Sequence, residues 1–335
     1  MAERAGFCFG VKRAVDAILE ALTVGETDRA VWTIGMPIHN PQEVARLRAM
    51  GLRVAKDASE VPPGVKVLIR AHGESRAVLD ELRGGAVELP LGPDALVEAA
   101  RQDISKWLAT GMTITSILDP AYPTTLAEVR EAPALLYAEG TLRQHDLGVC
   151  VVGTRRLDDA GADVARTVAA ALVGQGLTVV SGLAAGTDTV AHEEALARGG
   201  RTVAIMGTGI DSTFPAGNKD LRRRVVSAGG LVATQFPPGT HGSRITFPMR
   251  NAVMSGYGLA TVVVAAGEHS GTRIQARKAL DHGRGLILTE RVTRETTWGA
   301  HYAHRPGVTV ARRSQDVLDA VSRLIEDRQA LALRW

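Results

Sequence analysis

The chain has 335 residues, too long for one ordinary domain, so two or three are expected. Hydrophobic residues make up 45% and aromatics only 4%, so the chain can bury real cores resting on Ala, Val and Leu. A net charge of +3 says little, and two cysteines, Cys8 and Cys150, exclude a disulfide scaffold or a thiolate cage.

The distribution of charge says more than its sum. Between Arg201 and Arg250 there are seven basic residues against two Asp and no Glu, so the rest of the chain sums to −2. A local basic surplus favours a phosphate-bearing partner, against which stands an ordinary solvated helix face at Lys219–Arg224. The N-terminus lacks a signal-peptide run, and no stretch of about 18 apolar residues exists for a membrane span. A cytoplasmic protein with no membrane contact is therefore expected.

Three blocks follow one another. The first covers 1–87, where alternating apolar runs and His-Asn and Ala-His-Gly turns suit a small α/β lobe. Glu88–Pro93 reads as a Pro/Gly linker, and 88–146 as linker plus a small lead-in subdomain. The third block, 147–335, alternates strand and helix signals. Apolar runs at 147–152, 177–180, 202–206, 231–236, 259–266 and 285–289 read as strands. Helices are expected at 162–173, 187–198, 218–228, 247–256, 272–282 and 314–325. In the first of these Val164, Val168, Ala171 and Leu172 share a face, with Asp158 or Asp159 as cap and Gly174 and Gly176 as the end. Strands apolar on both faces, separated by helices, mean a parallel sheet covered on both sides, with ligands at the strands' carboxyl ends.

Glycine-rich turns fall at those ends: Val152–Arg156, Ser181–Asp188, Gly207–Asn218, Phe247–Asn251 and Ser270–Arg273. Unpaired backbone N–H groups at such turns hold anions, so Ser181, Gly182, Gly186, Gly207 and Gly209 are candidate phosphate cradles. The alternative is tight turns needing positive φ. The cradle reading fails if the hollows are scattered over the molecule or plugged by acidic side chains. Arg155 is placed to grip a phosphate bidentately, or to pair with Asp158 or Asp159. Arg250 and Asn251 join a cation and an amide early in a helix, or serve as capping and solvation. Lys219 and Arg222 can track a backbone without reading sequence. Phe214 is a base-stacking candidate or a loop anchor. Asp188 and His192 at i, i+4 form an acid–base pair, or a helix-start Asp with a core His. No nucleophile elbow, Walker lysine or metal-binding helix motif is present, so no catalytic residue, metal or cofactor is expected.

Taken in order, VGTRR, SGLAAGTD, GTGIDSTFPAGN, QFPPGT, FPMRNAVMSG and SGTRIQARKAL resemble the DprA/Smf family of DNA-processing proteins, from about Ile104 onward. That resemblance implies an extended Rossmann-like fold, a homodimer, single-stranded DNA binding, protection of incoming DNA in natural transformation and delivery to a RecA-type recombinase, without catalysis. Arg155 matches the arginine of the family's first loop; Gly182, Gly186 and Asp188 its second; Gly207, Gly209, Asp211, Pro215 and Asn218 its third; Arg250 and Asn251 its helix. Phe214 stands where the family has Tyr, and Ala252 where it has a second arginine.

The first block resembles something else. AERAGFCFGVKRAVDAI, PIHNPQEVARLRAMGLRV and EVPPGVKVLIRAHGES are similar to the first lobe of the IspH/LytB diphosphate reductase. Cys8 then matches a cluster ligand, and His39 and His72 match diphosphate contacts, making them a vestigial reductase site. Cys150 falls in an expected buried strand and reads as a core residue. Two rivals to single-strand binding remain. One is a nucleotide-metabolite binder of the lysine-decarboxylase-like type, disfavoured as a hydrolase because SGTRIQA lacks that type's glutamate. The other is a degenerate isoprenoid diphosphate reductase fusion.

Overall fold

The structure is a computed structural model and describes residues 18–19, 22, 30–35, 41–68 and 103–332. It divides into two compact units, Met1–Lys106 and Trp107–Trp335. In the first, β1 (Val31–Ile34), α1 (Pro41–Ala49), β2 (Leu52–Ala55) and β3 (Lys66–Leu68) follow one another. The strands pair in parallel in the order β2-β1-β3. Val31, Leu47, Leu52 and Leu68 share one apolar cluster with Ile18, so this is the small α/β lobe expected from the pattern. Cys8, His39, His72 and the linker at Glu88–Pro93 lie outside the described residues.

The second unit opens with β4 (Thr113–Ser116), α2 (Thr124–Ala127) and β5 (Leu135–Gly140). The alternating array follows: β6 (Gly148–Gly153), α3 (Asp159–Gly174), β7 (Thr178–Ser181), α4 (Thr187–Ala197), β8 (Thr202–Ile205), α5 (Lys219–Ser227), β9 (Leu231–Thr234) and α6 (Thr246–Tyr257). It ends with β10 (Ala260–Ala265), α7 (Thr272–Asp281), β11 (Gly285–Thr289), α8 (Glu290–Glu295), α9 (Thr297–Tyr302), β12 (Val308–Ala311) and α10 (Ser314–Ala332). Among the described residues these strands form one nine-stranded sheet, β12-β11-β10-β6-β7-β8-β9-β5-β4. All pairs from β12 to β9 are parallel, whereas β9-β5 and β5-β4 are antiparallel. The order runs outward from β6 in both directions, so the chain's winding reverses between β6 and β10.

Pleating explains why the apolar runs carried no period. In β6, Val149 and Val151 join one core with Ala165, Val168, Ala169 and Leu172 of α3. Cys150 and Val152 join the opposite core with Val253, Met254 and Tyr257 of α6. Both faces are covered, so every position is apolar, and each buried aliphatic side chain contributes roughly 1.5–3 kcal/mol. Cys150 is the expected core residue: burial pushes its thiol up to about 12, and Sγ donates to Met254 O.

Three expectations need correcting. The face of α3 is rotated: Ala165 and Ala169 let the helix approach the sheet, while Val164 is exposed and Ala171 half-buried. Of the two expected cap candidates the structure uses Asp158, whose Oδ1 accepts from Gly161 N at 2.9 Å. The lead-in at 107–146 is no separate subdomain, because β4 and β5 extend the main sheet beyond β9 and the compact unit starts at Trp107. Between β11 and the last helix, α8, α9 and β12 were not anticipated; their short, Thr- and Arg-rich segments carry no readable period.

The amino ends of the central strands are tied by one buried carboxylate. Asp146 Oδ2 accepts from Arg201 Nε at 2.9 Å and from Tyr257 Oη at 2.8 Å, and Oδ1 accepts from Thr178 Oγ1. Arg201 in turn donates to Gly229 O and Thr141 O. This joins β6, β7, β8, the start of β9 and the end of α6. Asp146→Ala leaves a buried guanidinium and a buried phenol without an acceptor. A loss of about 3–5 kcal/mol is expected, read as a lower urea midpoint at unchanged m-value.

Candidate functional site

A cleft of about 620 Å³ opens at the carboxyl ends of β6 and β10, where the winding reverses. Helices on opposite faces diverge at such a switch point, which leaves a crevice above the sheet. Val152–Arg155 form one wall, the Gly267–Gln275 segment another, and Phe247–Met254 of α6 a third, with Ala184 and Asp188 behind.

The loop after β7 faces this cleft and is already satisfied by the chain itself. Asp188 Oδ2 accepts from Gly182 N at 3.1 Å and from Ala184 N at 3.3 Å. Ser181 Oγ donates to Val151 O at 2.7 Å. Arg250 Nη1 donates to Gly182 O at 2.6 Å, and Asn218 Nδ2 donates to Leu183 O at 2.8 Å. Leu183, fully buried, sits in the left-handed region at φ 57°, a conformation that costs of order 1–3 kcal/mol and is held by these bonds. The expected anion cradle at Ser181, Gly182 and Gly186 is therefore plugged by an acidic side chain. Its glycines are there for close approach: a methyl group on Gly182 would overlap Arg250 Nη1, and one on Gly186 (φ 77°) would overlap Thr154 O.

The third loop behaves alike. Gly207 leaves room for the Phe247 ring, which a Cβ would approach to 2.6 Å, and Gly209 leaves room for Pro237 O. Asp211 takes the amide of Gly239 at 2.9 Å. The helix amides at the cleft are also taken: Ser243 Oγ accepts from Thr246 N, and Ser270 Oγ from Thr272 N.

Arg250 is 5% exposed. Nη1 also donates to Ile205 O at 2.9 Å, and Nε donates to Asn251 Oδ1 at 3.0 Å. Burial lowers its pKa, opposed chiefly by the charge of Asp188, while burial raises that of Asp188 against the pull of Arg250. Arg250 and Asn251 both line the cleft, but Arg250 works first as a brace between α6 and the ends of β7 and β8. His192 is fully buried, with Nδ1 2.7 Å from Thr202 Oγ1. It is the core histidine of the two alternatives: burial, with the Arg250 charge adding, holds it down at about 3.

Arg155 differs from all of these. It is exposed, and its guanidinium carbon lies 5.3 Å from the centre of the Phe247 ring. Among the described residues its side chain has no carboxylate partner. Asp158, the rival partner, is taken bidentately by Arg291 at 2.6 and 2.8 Å. A cation resting on an aromatic face keeps its outward N–H donors available. Phe247 also lies 5.6 Å from the Phe214 ring, and Phe214 is 51% exposed. The result is a cation and an exposed ring joined through Phe247, which is slotted between Gly207 and Gly242. The individual role of Phe247 was missed; only the motif containing it was visible.

Lys219 and Arg222 lie elsewhere, lining a shallower hollow of about 420 Å³ with Asp211 and Glu139. Arg222 is committed to Ile210 O and to Glu139 at 2.7 Å, Arg223 to Asp220, and Arg224 to Glu193 and Asp220. On that helix Lys219 is exposed. The basic surplus is thus mostly neutralised by neighbours.

Fold and cleft together define a Rossmann-like α/β protein with its crevice at the switch point of the sheet. The family model described as DNA recombination-mediator protein A matches residues 113–322, and the chain belongs to that family. A second family model, LytB protein, matches residues 1–145. The chain is 36% identical over 208 residues to the DNA processing protein DprA of Streptococcus pneumoniae, covering 61% of this chain and 72% of that one. The crystal structure of that protein superposes with a TM-score of 0.56 over 62% of this chain and 74% of that one, at 34% identity. A Helicobacter pylori DNA processing protein A, described for its single-stranded DNA binding mode, shares the fold at 21% identity and TM-score 0.56 over 64% and 96% of the two chains. Over 141 residues the chain is 33% identical to 4-hydroxy-3-methylbut-2-enyl diphosphate reductase of Geobacter sulfurreducens, covering 42% of this chain and 49% of the reductase. Among the curated DNA-processing relatives, the chain spans from 44% to 72% of their length.

Two outcomes follow from this geometry. Arg250→Ala removes the brace and leaves Asp188 buried without its countercharge, while Gly182→Ala forces the guanidinium off Gly182 O. A loss of roughly 3 kcal/mol is expected in chemical denaturation, with any loss of ligand binding secondary to it. His192 has a folded pKa near 3 against an ordinary 6.5. Between those values the unfolded chain binds a proton that the folded chain refuses. Stability attributable to His192 is therefore complete above about pH 6.5 and falls by about 1.4 kcal/mol per unit below it. Urea midpoints from pH 7 to 5 should fall more steeply for wild type than for His192→Leu; parallel slopes would refute the assignment.

Proposed function

We propose that the cleft binds single-stranded DNA, and that the chain acts as a DNA-processing protein that binds rather than cuts or modifies its ligand. The observation that carries this is Arg155: an exposed guanidinium with no carboxylate partner, propped on Phe247 at the mouth of the main cleft. Such a group grips a phosphodiester by parallel N–H···O bonds. Phe214 offers an exposed ring on which a base can stack. Lys219 is exposed at the separate hollow on α5, where it can hold a further phosphate of the same strand, a contact that positions without reading sequence.

Family membership supports this reading, and so does the single-stranded DNA binding mode for which the Helicobacter pylori protein is described. We further infer the role that goes with it: protection of incoming single strands during natural transformation and their delivery to a RecA-type recombinase, with the chain acting as a homodimer. The reductase-like segment is assigned no activity. Its Cys8, His39 and His72 remain a proposed vestigial site. The size of the cleft keeps a nucleotide metabolite in view as a rival ligand, and mononucleotides belong in the same titration.

Fluorescence anisotropy of labelled oligodeoxynucleotides across a salt series tests the proposal. Arg155→Ala should weaken binding to all sequences by about tenfold, and should reduce the slope of log affinity against log salt by about 0.7. An unchanged salt slope, a loss confined to particular sequences, or tighter binding of mononucleotides than of oligomers would count against it.

A further inference from the structure

Two walls of the cleft present hydrogen-bond donors that the chain leaves unused. On the α6 wall Asn251 is half-buried and lines the cleft. Its Oδ1 accepts from Arg250 Nε at 3.0 Å. A guanidinium only donates, so the prong that faces it is the carbonyl oxygen, and the orientation of the amide is settled. Nδ2, with its two N–H donors, is thereby turned away from Arg250. Among the described residues it has no partner, and it is not one of the atoms sealed from solvent. On the wall formed by Gly267–Gln275, Ser270 and Thr272 share one hydroxyl–hydroxyl hydrogen bond of 2.7 Å. Ser270 Oγ also accepts from Thr272 N at 3.2 Å. Two hydroxyls carry two protons, and this pair spends one on itself. Whichever of the two donates, the remaining proton has no acceptor among the described residues. Both side chains line the cleft. Of the charges lining it, Arg155 and Arg250 stand against Asp188, whose Oδ2 is occupied by Gly182 N and Ala184 N. The cleft is therefore matched to a negatively charged group rich in acceptors.

We infer that the cleft takes the backbone of a single DNA strand and leaves the bases outside: one phosphodiester sits between Asn251 Nδ2 and the Ser270–Thr272 hydroxyls, while Arg155 grips a neighbouring phosphate at the mouth. This rests on the single-strand reading of the same site. A phosphodiester offers two anionic oxygens and no donor, so it can serve both walls at once. Hydrogen bonds to an ionised acceptor are roughly twice as strong as neutral ones, which favours a phosphate over a base carbonyl at these donors. The bases are then turned outward, where Phe214 is exposed. Backbone contacts carry no sequence information, so binding is indifferent to sequence. A duplex, stiff over a persistence length of about 150 base pairs, cannot dip one phosphate into a crevice between helices. Asn251 and the hydroxyl pair thus fix where the backbone runs, and Arg155 supplies the charge that draws it in.

Fluorescence anisotropy with the full chain tests this on two labelled oligomers of equal length, oligothymidine and an abasic strand, neither carrying a terminal phosphate. Asn251→Asp keeps an acceptor for Arg250 Nε and replaces the two donors by an oxygen that repels phosphate. It should lower affinity for both strands by the same factor, about tenfold or more. Ser270→Ala combined with Thr272→Val removes the hydroxyl protons without a change of charge. It should lower affinity for both strands by about five- to tenfold, at an unchanged salt slope. A loss confined to oligothymidine means that these donors meet a base and overturns the inference, as does unchanged affinity in either variant. Adding a terminal phosphate should leave wild-type affinity as it was. A gain of about tenfold, the worth of one charge-assisted hydrogen bond, would put a strand end in the cleft and overturn the internal phosphodiester. If neither variant folds, wild type decides alone. Its log affinity should fall with log salt equally steeply for the two strands, since the phosphates held do not depend on a base; a flatter slope on the abasic strand overturns the inference. Failure of wild type to bind either strand sinks the single-strand reading together with it.

Discussion

A buried guanidinium fixes the geometry on which the cleft depends. Arg250 ties α6 to carbonyls at the ends of β7 and β8, Gly182 O and Ile205 O, and turns Nε toward Asn251. A cation is tolerated at that depth because carbonyl dipoles surround it and the charge of Asp188 opposes its desolvation. The fork shape matters, since a lysine ammonium cannot bond two carbonyls and an amide oxygen from one planar frame. Once α6 is fixed, Phe247 falls one turn earlier into the slot left by Gly207 and Gly242, and Arg155 finds a ring to lie on. The position of the exposed cation thus follows from that of the buried one.

The same arrangement explains why the cleft belongs to β6 and β10 rather than to β7. The amides of a turn can serve one anion at a time. After β7 they serve Asp188, which holds a left-handed Leu183 in place and presses Gly186 and Thr187 against Thr154 O. That pressure supports the Thr154–Arg155 backbone from below. An internal anion at one strand end therefore makes a rigid base for a cation at the next, and the ligand-facing positions shift to the switch point. Arg291, by contrast, is held by Asp158 and Glu295, which leaves Arg155 without the acidic partner nearest to it in sequence.

Much of this fold was legible in the sequence, for a physical reason. Strands covered on both faces must be apolar at every position, and Val149–Val152 and Ala260–Ala265 could be little else. Helix ends were marked by Asp158, by Pro248 in a first turn and by Gly199 and Gly283 in left-handed conformation. The antiparallel edge was not legible, because β4 has four residues of which one is buried and β5 is exposed at both ends. The glycine turns were legible as turns but not in purpose. A missing Cβ has the same sequence signature whether the space is filled by a phosphate or, as at Gly182, by Arg250 of the same chain. Arg155 and Arg250 are equally indistinguishable as letters. Burial separates the brace from the exposed cation, and burial is a property of packing.

Residues 113–145 fall within both family matches, and the backbone shows which fold they serve. Tyr137 pairs with Thr234 and Gly140 with Leu231, so β5 covers the edge of a β9 whose four residues are all buried. Leu136 and Ala138 share a core with Cys150 and Tyr257, and Thr125 Oγ1 donates to Tyr257 O at the end of α6. Glu128 and Glu131 pair with Arg284, Arg328 and Lys278, reaching the far half of the sheet. Removing this segment would expose β9 as an apolar edge with unmet backbone donors, a template for aggregation. Similarity to the reductase therefore cannot set the structural boundary at residue 145. The segment's side chains have their partners in the DNA-processing fold.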